Sequence, residues 1–344
     1  MKRIYLDTSV SFVNALLSEV CNHPKLTPCD AVKFIYQSSF GYEALPNTVH
    51  FNSPTQRVTD INEKYSRLYL TDDSYKEIAD ILIEEAKKES DNEKCQTDFE
   101  SSLNILRELV KDGKFPFDLY QLEVFTDEYL SFGMPCLTHS DIYKSSYDSS
   151  YITLRRESAL LFPLICDIFI AIKEQGYAVI AIDGTSASGK TTTAEYLVKL
   201  FPARIIHMDD FFLPSEKRTA LRLLEPGGNI DYERFYNEVV CHLSDDTITH
   251  GIFDCSKKEI TKMATLPREP LTIIEGAYSR HTNFRKYYDI SVFMKTAEEK
   301  QRERILNRNG KLMLKMFENK WIPYEKKYDE VFGIEKSSDY LIIT

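Results

Sequence analysis

An apolar segment that leads into a glycine-bounded loop constrains this chain more than any other feature. The segment is Ala178-Val179-Ile180-Ala181-Ile182, and after Asp183 the chain continues Gly184-Thr185-Ser186-Ala187-Ser188-Gly189-Lys190-Thr191. The loop fits the pattern GxxxxGK[ST], and it stands where that pattern requires, between a strand and a helix. A chain with this arrangement is expected to fold around a sheet that presents the loop at a strand end.

Each residue type in the loop suits the binding of phosphate. Glycines at 184 and 189 let the backbone curl so that successive amides face phosphate oxygens, and the following helix adds positive charge at its N-terminus. Lys190 can reach the β- and γ-phosphates, and the Thr191 hydroxyl can ligate Mg²⁺. A chance match is expected roughly once in a hundred chains of this length. We therefore expect ATP or another NTP, with Mg²⁺, to bind at Gly184, Thr185, Ser186, Ala187, Ser188, Gly189, Lys190, Thr191 and Thr192.

The second half of the chain alternates short apolar strands with helices. Continuous apolar strands are typical of a parallel sheet covered on both faces, so residues 176–344 are predicted to form a three-layer α/β domain. The predicted strands are Tyr177–Ile182, Arg204–Met208, Leu271–Ile274, Ile290–Met294 and Tyr340–Ile343.

The first half differs in pattern and in charge. Apolar residues recur there at helical spacing, which predicts a mainly α-helical domain of unknown function over residues 1–156 and a connecting helix over 157–175. Residues 131–156 are predicted to be ordered but irregular. The whole formal charge of −10 lies in residues 1–175, and residues 176–344 are balanced. His139 is a candidate ligand here, although a structural role is favoured for a single histidine.

Composition excludes several classes of protein. A pI near 5.4 argues against nucleic acid as a partner, because duplex binding needs clustered positive charge. No apolar run approaches the ~20 residues that span a bilayer. Seven scattered cysteines without a CxxC pair are typical of reduced thiols. We expect a cytoplasmic protein that binds no membrane; the oligomeric state cannot be predicted.

Acidic residues follow two of the predicted strands. Asp209 and Asp210 come after 204–208, and Glu275 comes after 271–274. Ligands of open α/β sheets lie beyond the carboxyl ends of the strands, so these side chains are expected near the phosphates. A carboxylate there can take a proton from an attacking hydroxyl or hold Mg²⁺. A solvated acidic turn and a turn-capping glutamate are the structural alternatives.

A helix near residues 298–309 carries Arg302, Arg304 and Arg308. Arginine forks can stabilise the charge that phosphoryl transfer spreads over phosphate oxygens, so all three are candidate catalytic residues. Glutamates share the helix, and a solvated face with pairs such as Glu298 with Arg302 explains the pattern equally well.

In these motifs the chain resembles the uridine kinase family of P-loop kinases, relatives of pantothenate kinase and phosphoribulokinase. The resemblance covers about 176–344. It implies a parallel five-stranded sheet with a mobile lid that bears arginines. It rests on Ile182–Thr191, His207-Met208-Asp209-Asp210-Phe211-Phe212, Asn229-Ile230-Asp231, Phe253-Asp254, Ile274-Glu275-Gly276 and the arginine-bearing helix after Thr296.

The resemblance also implies roles. Asp209, already a candidate Mg²⁺ ligand from its place after a strand, corresponds to the base that deprotonates the acceptor hydroxyl, and Glu275 corresponds to the metal-site acid. Asp231 corresponds to the acid that binds sugar hydroxyls, and Phe253-Asp254 stands where the family has a Tyr-Asp pair in the substrate pocket.

One segment departs from the family. Uridine kinases follow the Tyr-Asp pair with a histidine and an arginine of the pyrimidine site, whereas this chain has Cys255-Ser256-Lys257-Lys258-Glu259-Ile260. The expected function is Mg·ATP-dependent phosphoryl transfer to a hydroxyl of a small molecule, with a nucleoside as the first candidate. The alternatives are a kinase of another metabolite, such as a pantothenate-like alcohol or a sugar, and a nucleotide-gated regulatory P-loop ATPase.

Overall fold

The computed structural model describes residues 1–6, 9–41, 57–69, 75–88 and 92–344. It divides into two compact units: Met1–Asp7 with Pro163–Thr344, here called the phosphate-loop unit, and Thr8–Phe162, here called the N-terminal unit. The described strands are β1 Lys2–Tyr5, β2 Arg57–Asp60, β3 Tyr65–Tyr69, β4 Tyr151–Arg155, β5 Ala178–Gly184, β6 Ala203–His207, β7 Thr247–Asp254, β8 Glu259–Pro267, β9 Leu271–Glu275, β10 Ile290–Lys295 and β11 Tyr340–Ile343. The described α-helices are α1 Phe12–Asn22, α2 Pro28–Phe40, α3 Lys76–Lys88, α4 Asn92–Lys111, α5 Leu119–Ser131, α6 Asp141–Ser146, α7 Arg156–Gln175, α8 Lys190–Leu200, α9 Ala220–Leu224, α10 Tyr232–Glu238, α11 Glu298–Met316 and α12 Ile322–Phe332.

The phosphate-loop unit is built on a six-stranded sheet in the order β1-β11-β10-β5-β9-β6, with every neighbouring pair parallel. The central strand β5 is buried along its whole length, as expected for a strand covered on both faces. All five strands predicted from the sequence are present, but the prediction of a five-stranded sheet is wrong by one. The edge strand β1 pairs with β11 and buries only Ile4, so no apolar run marked it in the sequence.

Two further features of this unit lie outside the parallel sheet. β7 and β8 form a separate antiparallel hairpin that the sequence analysis did not predict. Its second strand is almost entirely exposed, and so it lacks the apolar pattern that identifies a buried strand. The arginine-bearing helix α11 is broken at Gly310, whose φ of 78° is not helical, and a π-helical turn at Phe317–Trp321 joins α11 to α12.

The N-terminal unit contains helices α1 to α6 and a three-stranded antiparallel sheet in the order β2-β3-β4. A mainly helical domain is therefore not confirmed. The segment 131–156, predicted to be irregular, contains α6 and β4. Strand β4 lacks the alternation of apolar and polar residues that marks a half-buried strand, because it is buried on both faces from Tyr151 to Leu154.

A buried polar network lies within the N-terminal unit. Nδ1 of His139 is 2.9 Å from Oδ1 of Asp30, and Arg67, only 1% exposed, donates to Oε1 of Glu19 at 2.8 Å. The charge of Arg67 holds the pKa of Glu19 at about 2 against the opposing effect of burial. His139 is therefore held by protein partners, and its pKa is lowered by burial to about 4.

Within the ranges that the structure describes, no helix has the length and apolar character needed to cross a membrane.

Candidate functional site

The loop after β5 follows the path that its glycines predicted. Gly184 has a φ of +143°, and a Cβ there would lie 2.0 Å from the backbone oxygen of Met294 in β10. Gly189 has a φ of +92° and precedes the first residue of α8. Any side chain at 184 would force β5 and β10 apart, so the close approach of the two strands requires glycine at this position.

The polar side chains of the loop differ in whether they have partners within the protein. The ammonium of Lys190 donates to the backbone oxygens of Gly184 at 3.0 Å and Thr185 at 2.9 Å. The hydroxyl oxygens of Thr185 and Ser188 are buried, and among the described residues neither has a hydrogen-bond partner. Buried polar atoms without partners are costly, and a bound phosphate chain is one way to satisfy them. The loop thus fits a nucleotide.

The candidate metal ligands Thr191 and Glu275 lie together. The Thr191 hydroxyl donates to Oε1 of Glu275 at 3.1 Å, and Nδ1 of His207 is 2.6 Å from the same oxygen. This hydrogen bond raises the pKa of His207. In the described part of the chain no three His, Cys, Asp or Glu side chains form a metal cluster. Mg²⁺ typically uses one or two carboxylates together with substrate phosphates, so two hard oxygen ligands fit this ion.

The two aspartates after β6 differ in their surroundings. Oδ2 of Asp210 is 3.2 Å from Nε2 of the buried His250. The carboxylate of Asp209 accepts no hydrogen bond from any residue in the described ranges. The side chain of Asp209 is partly accessible to solvent, but the protein atoms packed around it raise its pKa by desolvation. The negative charge of Glu275 adds to this rise, and the positive charge of Lys190 opposes it. A free carboxylate with a raised pKa is suited to take up a proton.

The three arginines of α11 have different environments. Arg304 donates to the backbone oxygen of Ala187 at 3.0 Å and to the hydroxyl of Thr344 at 2.9 Å. Arg302 is exposed and pairs with Glu318 at 2.9 Å, and the exposed Arg308 bonds to its neighbour Asn309. Arg304 alone of the three contacts the phosphate loop.

Sequence reasoning missed the side chains that hold the tip of the loop. Glu325 of α12 accepts hydrogen bonds from the backbone amide of Ser186, at 2.8 Å, and from the Ser186 hydroxyl. Gln301 donates to the backbone oxygen of Ser186 at 2.8 Å. Burial raises the pKa of Glu325, and Lys190 opposes the rise. Ser186 and Glu325 are 139 residues apart in the chain, and this separation concealed the pair.

Asp183 was also missed, although it directly precedes the loop motif. Its two carboxylate oxygens accept from the amides of Gly184, Tyr278 and Arg280 at 2.7, 3.0 and 2.9 Å, and from the Tyr328 hydroxyl at 3.1 Å. This buried carboxylate joins the loop, the segment after β9 and α12. A cavity of about 190 Å³ lies beside it, lined in part by Thr185, Gln301 and Glu325.

The candidate substrate residues are positioned by local structure. Asp231 caps α10 through Oδ1, and its Oδ2 accepts from Lys217 at 2.7 Å. Phe253 is buried, with its ring centroid 6.2 Å from that of Phe212. Oδ1 of Asp254 accepts from the amide and the hydroxyl of Ser256 in the β7–β8 turn. Asp231 and Asp254 thus already have protein partners.

Comparison with known proteins confirms the resemblance over part of the chain. Uridine-cytidine kinase C of Dictyostelium discoideum is 26% identical over 123 residues, which are 35% of this chain and 27% of that protein. The match therefore spans about a quarter of the length of the curated relative. No protein-family model matches the chain.

Three solved structures are similar to about half of the chain. A possible uridine kinase from Bacillus stearothermophilus is 22% identical, with 52% of this chain and 96% of that chain covered and a TM-score of 0.42. D-glycerate 3-kinase from Cryptococcus neoformans var. grubii is 16% identical, with 54% of this chain and 95% of that chain covered and a TM-score of 0.41. TT1252 from Thermus thermophilus is 16% identical, with 49% of this chain and 88% of that chain covered and a TM-score of 0.26.

Proposed function

We propose that the phosphate-loop unit transfers the γ-phosphoryl group of ATP to a hydroxyl of a small molecule. The observation that carries the proposal is the pairing of a complete phosphate loop with the unpartnered carboxylate of Asp209. Asp209 follows β6 and Glu275 ends β9, and these strands run parallel to β5, which carries the loop. Both acids therefore lie at the edge of the sheet at which the loop begins.

The chemical step uses groups at this edge. Asp209 accepts the proton of the acceptor hydroxyl as the hydroxyl oxygen forms a bond to the γ-phosphorus. The bond from that phosphorus to the β–γ bridging oxygen breaks, and ADP leaves with the electron pair. The proton on Asp209 then passes to solvent. The products are ADP and the phosphate ester of the acceptor.

The remaining residues position the reactants. Backbone amides of the loop and Lys190 bind the phosphates, with Lys190 exchanging its present bonds to loop carbonyls for phosphate oxygens. Thr191 and Glu275 would hold Mg²⁺, which neutralises phosphate charge when bound. Arg302, Arg304 and Arg308 of α11 are proposed to form a lid over the transferring group, and exclusion of water by such a lid suppresses hydrolysis of ATP.

Two classes of small molecule are candidates for the acceptor. A nucleoside is the candidate that follows from the resemblance, and the curated relative is by its name a uridine-cytidine kinase. A pantothenate-like alcohol or a sugar is the alternative, since the pyrimidine-site histidine and arginine are absent after Asp254.

The test is ADP formation by the purified protein with a panel of nucleosides, vitamins and sugars. We expect at least one acceptor to raise turnover, and we expect Lys190→Ala and Asp209→Asn to abolish the rise. Equal ADP formation with and without every acceptor would favour a regulatory ATPase. Full transfer by Asp209→Asn would show that another group is the base.

A further inference from the structure

Most of the charged side chains around Asp209 already have partners within the protein. Asp210 pairs with His250 at 3.2 Å. Asp231 pairs with Lys217 at 2.7 Å, and this bond holds the pKa of Asp231 low against the effect of burial. Two acids and two basic side chains of the acceptor side therefore already have partners within the protein.

Most arginines of the same region are occupied too. Arg222 pairs with Glu225 at 3.1 Å and also donates to the oxygen of Ile230 at 3.2 Å. Arg234 pairs with Glu238 at 3.2 Å, and it also donates to the backbone oxygens of Gly251 and Asp210.

Arg218 differs from these arginines. Its Nε donates to the backbone oxygen of Leu213 at 2.7 Å, which fixes the start of the guanidinium. Its two terminal nitrogens have no acceptor in the part of the chain that the structure describes. The side chain is partly buried, with the guanidinium carbon 5.9 Å from the centre of the Phe253 ring. A positioned arginine with an open fork is suited to bind a carboxylate or a phosphate through two hydrogen bonds.

Arg218 and Asp209 belong to one neighbourhood. Leu213, which anchors Arg218, stands four residues after Asp209 in the chain. Arg218 also lies over Phe253, two residues before Cys255, and the Phe253 ring is 6.2 Å from that of Phe212, three residues after Asp209. Cys255 begins the segment where the uridine kinase motif has its pyrimidine-site residues.

Aromatic rings surround the same place. The rings of Phe212 and Phe253 are 6.2 Å apart, and that of Phe212 is 6.0 Å from the ring of Trp321 in the π-helical turn between α11 and α12. The acceptor side thus combines one free carboxylate, one free guanidinium and an apolar wall. These groups suit an acceptor that carries both a hydroxyl and a negative charge.

We propose that Arg218 binds an anionic group of the acceptor, so that the substrate is an alcohol bearing a carboxylate or a phosphate rather than an uncharged nucleoside. The proposal rests on the proposed function, since it places the hydroxyl of the same molecule at Asp209. Arg218 is then the residue that selects the substrate. Loss of the charge-assisted bonds should raise the KM for the acceptor roughly 10- to 100-fold without changing the KM for ATP.

The experiment compares acceptors in matched pairs that differ only by the anion: glycerol with glycerate, ribose with ribose 5-phosphate, and uridine with uridine 5′-monophosphate. We expect the anionic member to be preferred in at least one pair, and the pair concerned distinguishes a carboxylate from a phosphate. Arg218→Ala should abolish the preference, and Arg218→Lys should restore part of it. Arg268→Ala is the matched control, because Arg268 is exposed and bonds to the backbone of Ser244.

A general loss of structure and a failure of the proposed function give different results. A structural role of Arg218 would lower turnover of both members of a pair equally and would overturn the inference. Turnover with neutral members alone would also overturn it while leaving the kinase proposal intact. If no acceptor is phosphorylated, the kinase proposal fails. The anion site at Arg218 is then tested by the rise in Tm that each compound causes together with a non-hydrolysable ATP analogue. A rise specific to anionic compounds and lost in Arg218→Ala supports the anion site, and its absence contradicts it.

Discussion

Replacement of Asp183 by asparagine tests how far one buried carboxylate holds the site together. Asp183 is 2% exposed and accepts four hydrogen bonds, from three backbone amides and one tyrosine hydroxyl. Burial raises its pKa, while the donated bonds of Arg280 and Gly184 oppose the rise. Asparagine has nearly the same shape but replaces one accepting oxygen by a donor.

The cost follows from the partners. If the new NH₂ group stands at Oδ2, the Tyr328 hydroxyl can rotate to accept from it, but the amide of Arg280 is left without an acceptor. A buried unsatisfied donor costs about 1–3 kcal/mol, and the surviving bonds lose their charge assistance. We expect the free energy of unfolding of the phosphate-loop unit to fall by about 2–4 kcal/mol.

Urea unfolding followed by tryptophan fluorescence measures this change, because the single tryptophan, Trp321, belongs to the same unit. The matched control is Asp289→Asn. Asp289 is exposed and accepts one bond, from the amide of Val179 at 2.7 Å, which asparagine can keep. The control should change stability by less than about 0.5 kcal/mol. A similarly small change in Asp183→Asn, with an unchanged m-value, would refute the reasoning.

Three further predictions concern the loop, the lid and the N-terminal unit. Glu325→Ala removes the acceptors of the Ser186 amide and hydroxyl, so the affinity for ATP measured by calorimetry should fall roughly 2- to 10-fold. Glu325→Gln should retain most of the affinity. Equal affinities of the wild type and Glu325→Ala would show that Glu325 does not position the loop. Arg304→Ala should lower the Tm measured by calorimetry by roughly 2–4 °C, because it removes a hydrogen bond to the loop. Arg308→Ala should leave the Tm unchanged and lower kcat. A lower Tm in Arg308→Ala together with an unchanged Tm in Arg304→Ala would contradict these roles. The pKa of His139 is about 4 in the folded state against about 6.5 in the unfolded chain. Between these pH values the unfolded chain binds more protons than the folded protein. The free energy of unfolding should therefore fall, by at most about 3 kcal/mol, as the pH drops from 6.5 to 4. His139→Asn should flatten urea-derived stability over this window, and an unchanged slope would exclude the histidine as its source.

Local patterns in the sequence predicted the parts of the structure that depend on local chemistry. The loop from Gly184 to Thr191 needs glycine at two positions for steric reasons, so its conformation follows from a few residues. The strands β5 and β9 are buried along their whole length, and most of their residues are therefore apolar. For the same reason the positions of Asp209 and Glu275 at one sheet edge could be predicted.

Contacts between distant segments could not be predicted in this way. The short strand β1 joins the sheet only through β11, more than 330 residues away, and has a single buried side chain. Glu325 is polar and lies in a helix that also has a solvated face, so nothing in its local sequence distinguishes it from a surface glutamate. Arg218 differs from Arg222 only in its partners, and those partners are set by the folded chain.

Acceptor-dependent formation of ADP from ATP, compared among wild-type protein, Lys190→Ala and Asp209→Asn, tests the central claim most directly. Phosphoryl transfer predicts one phosphorylated acceptor molecule for each ADP formed by the wild type, and no transfer above background by either variant. ADP that forms without any phosphorylated acceptor, or transfer that survives in Asp209→Asn, would contradict the assignment of this site.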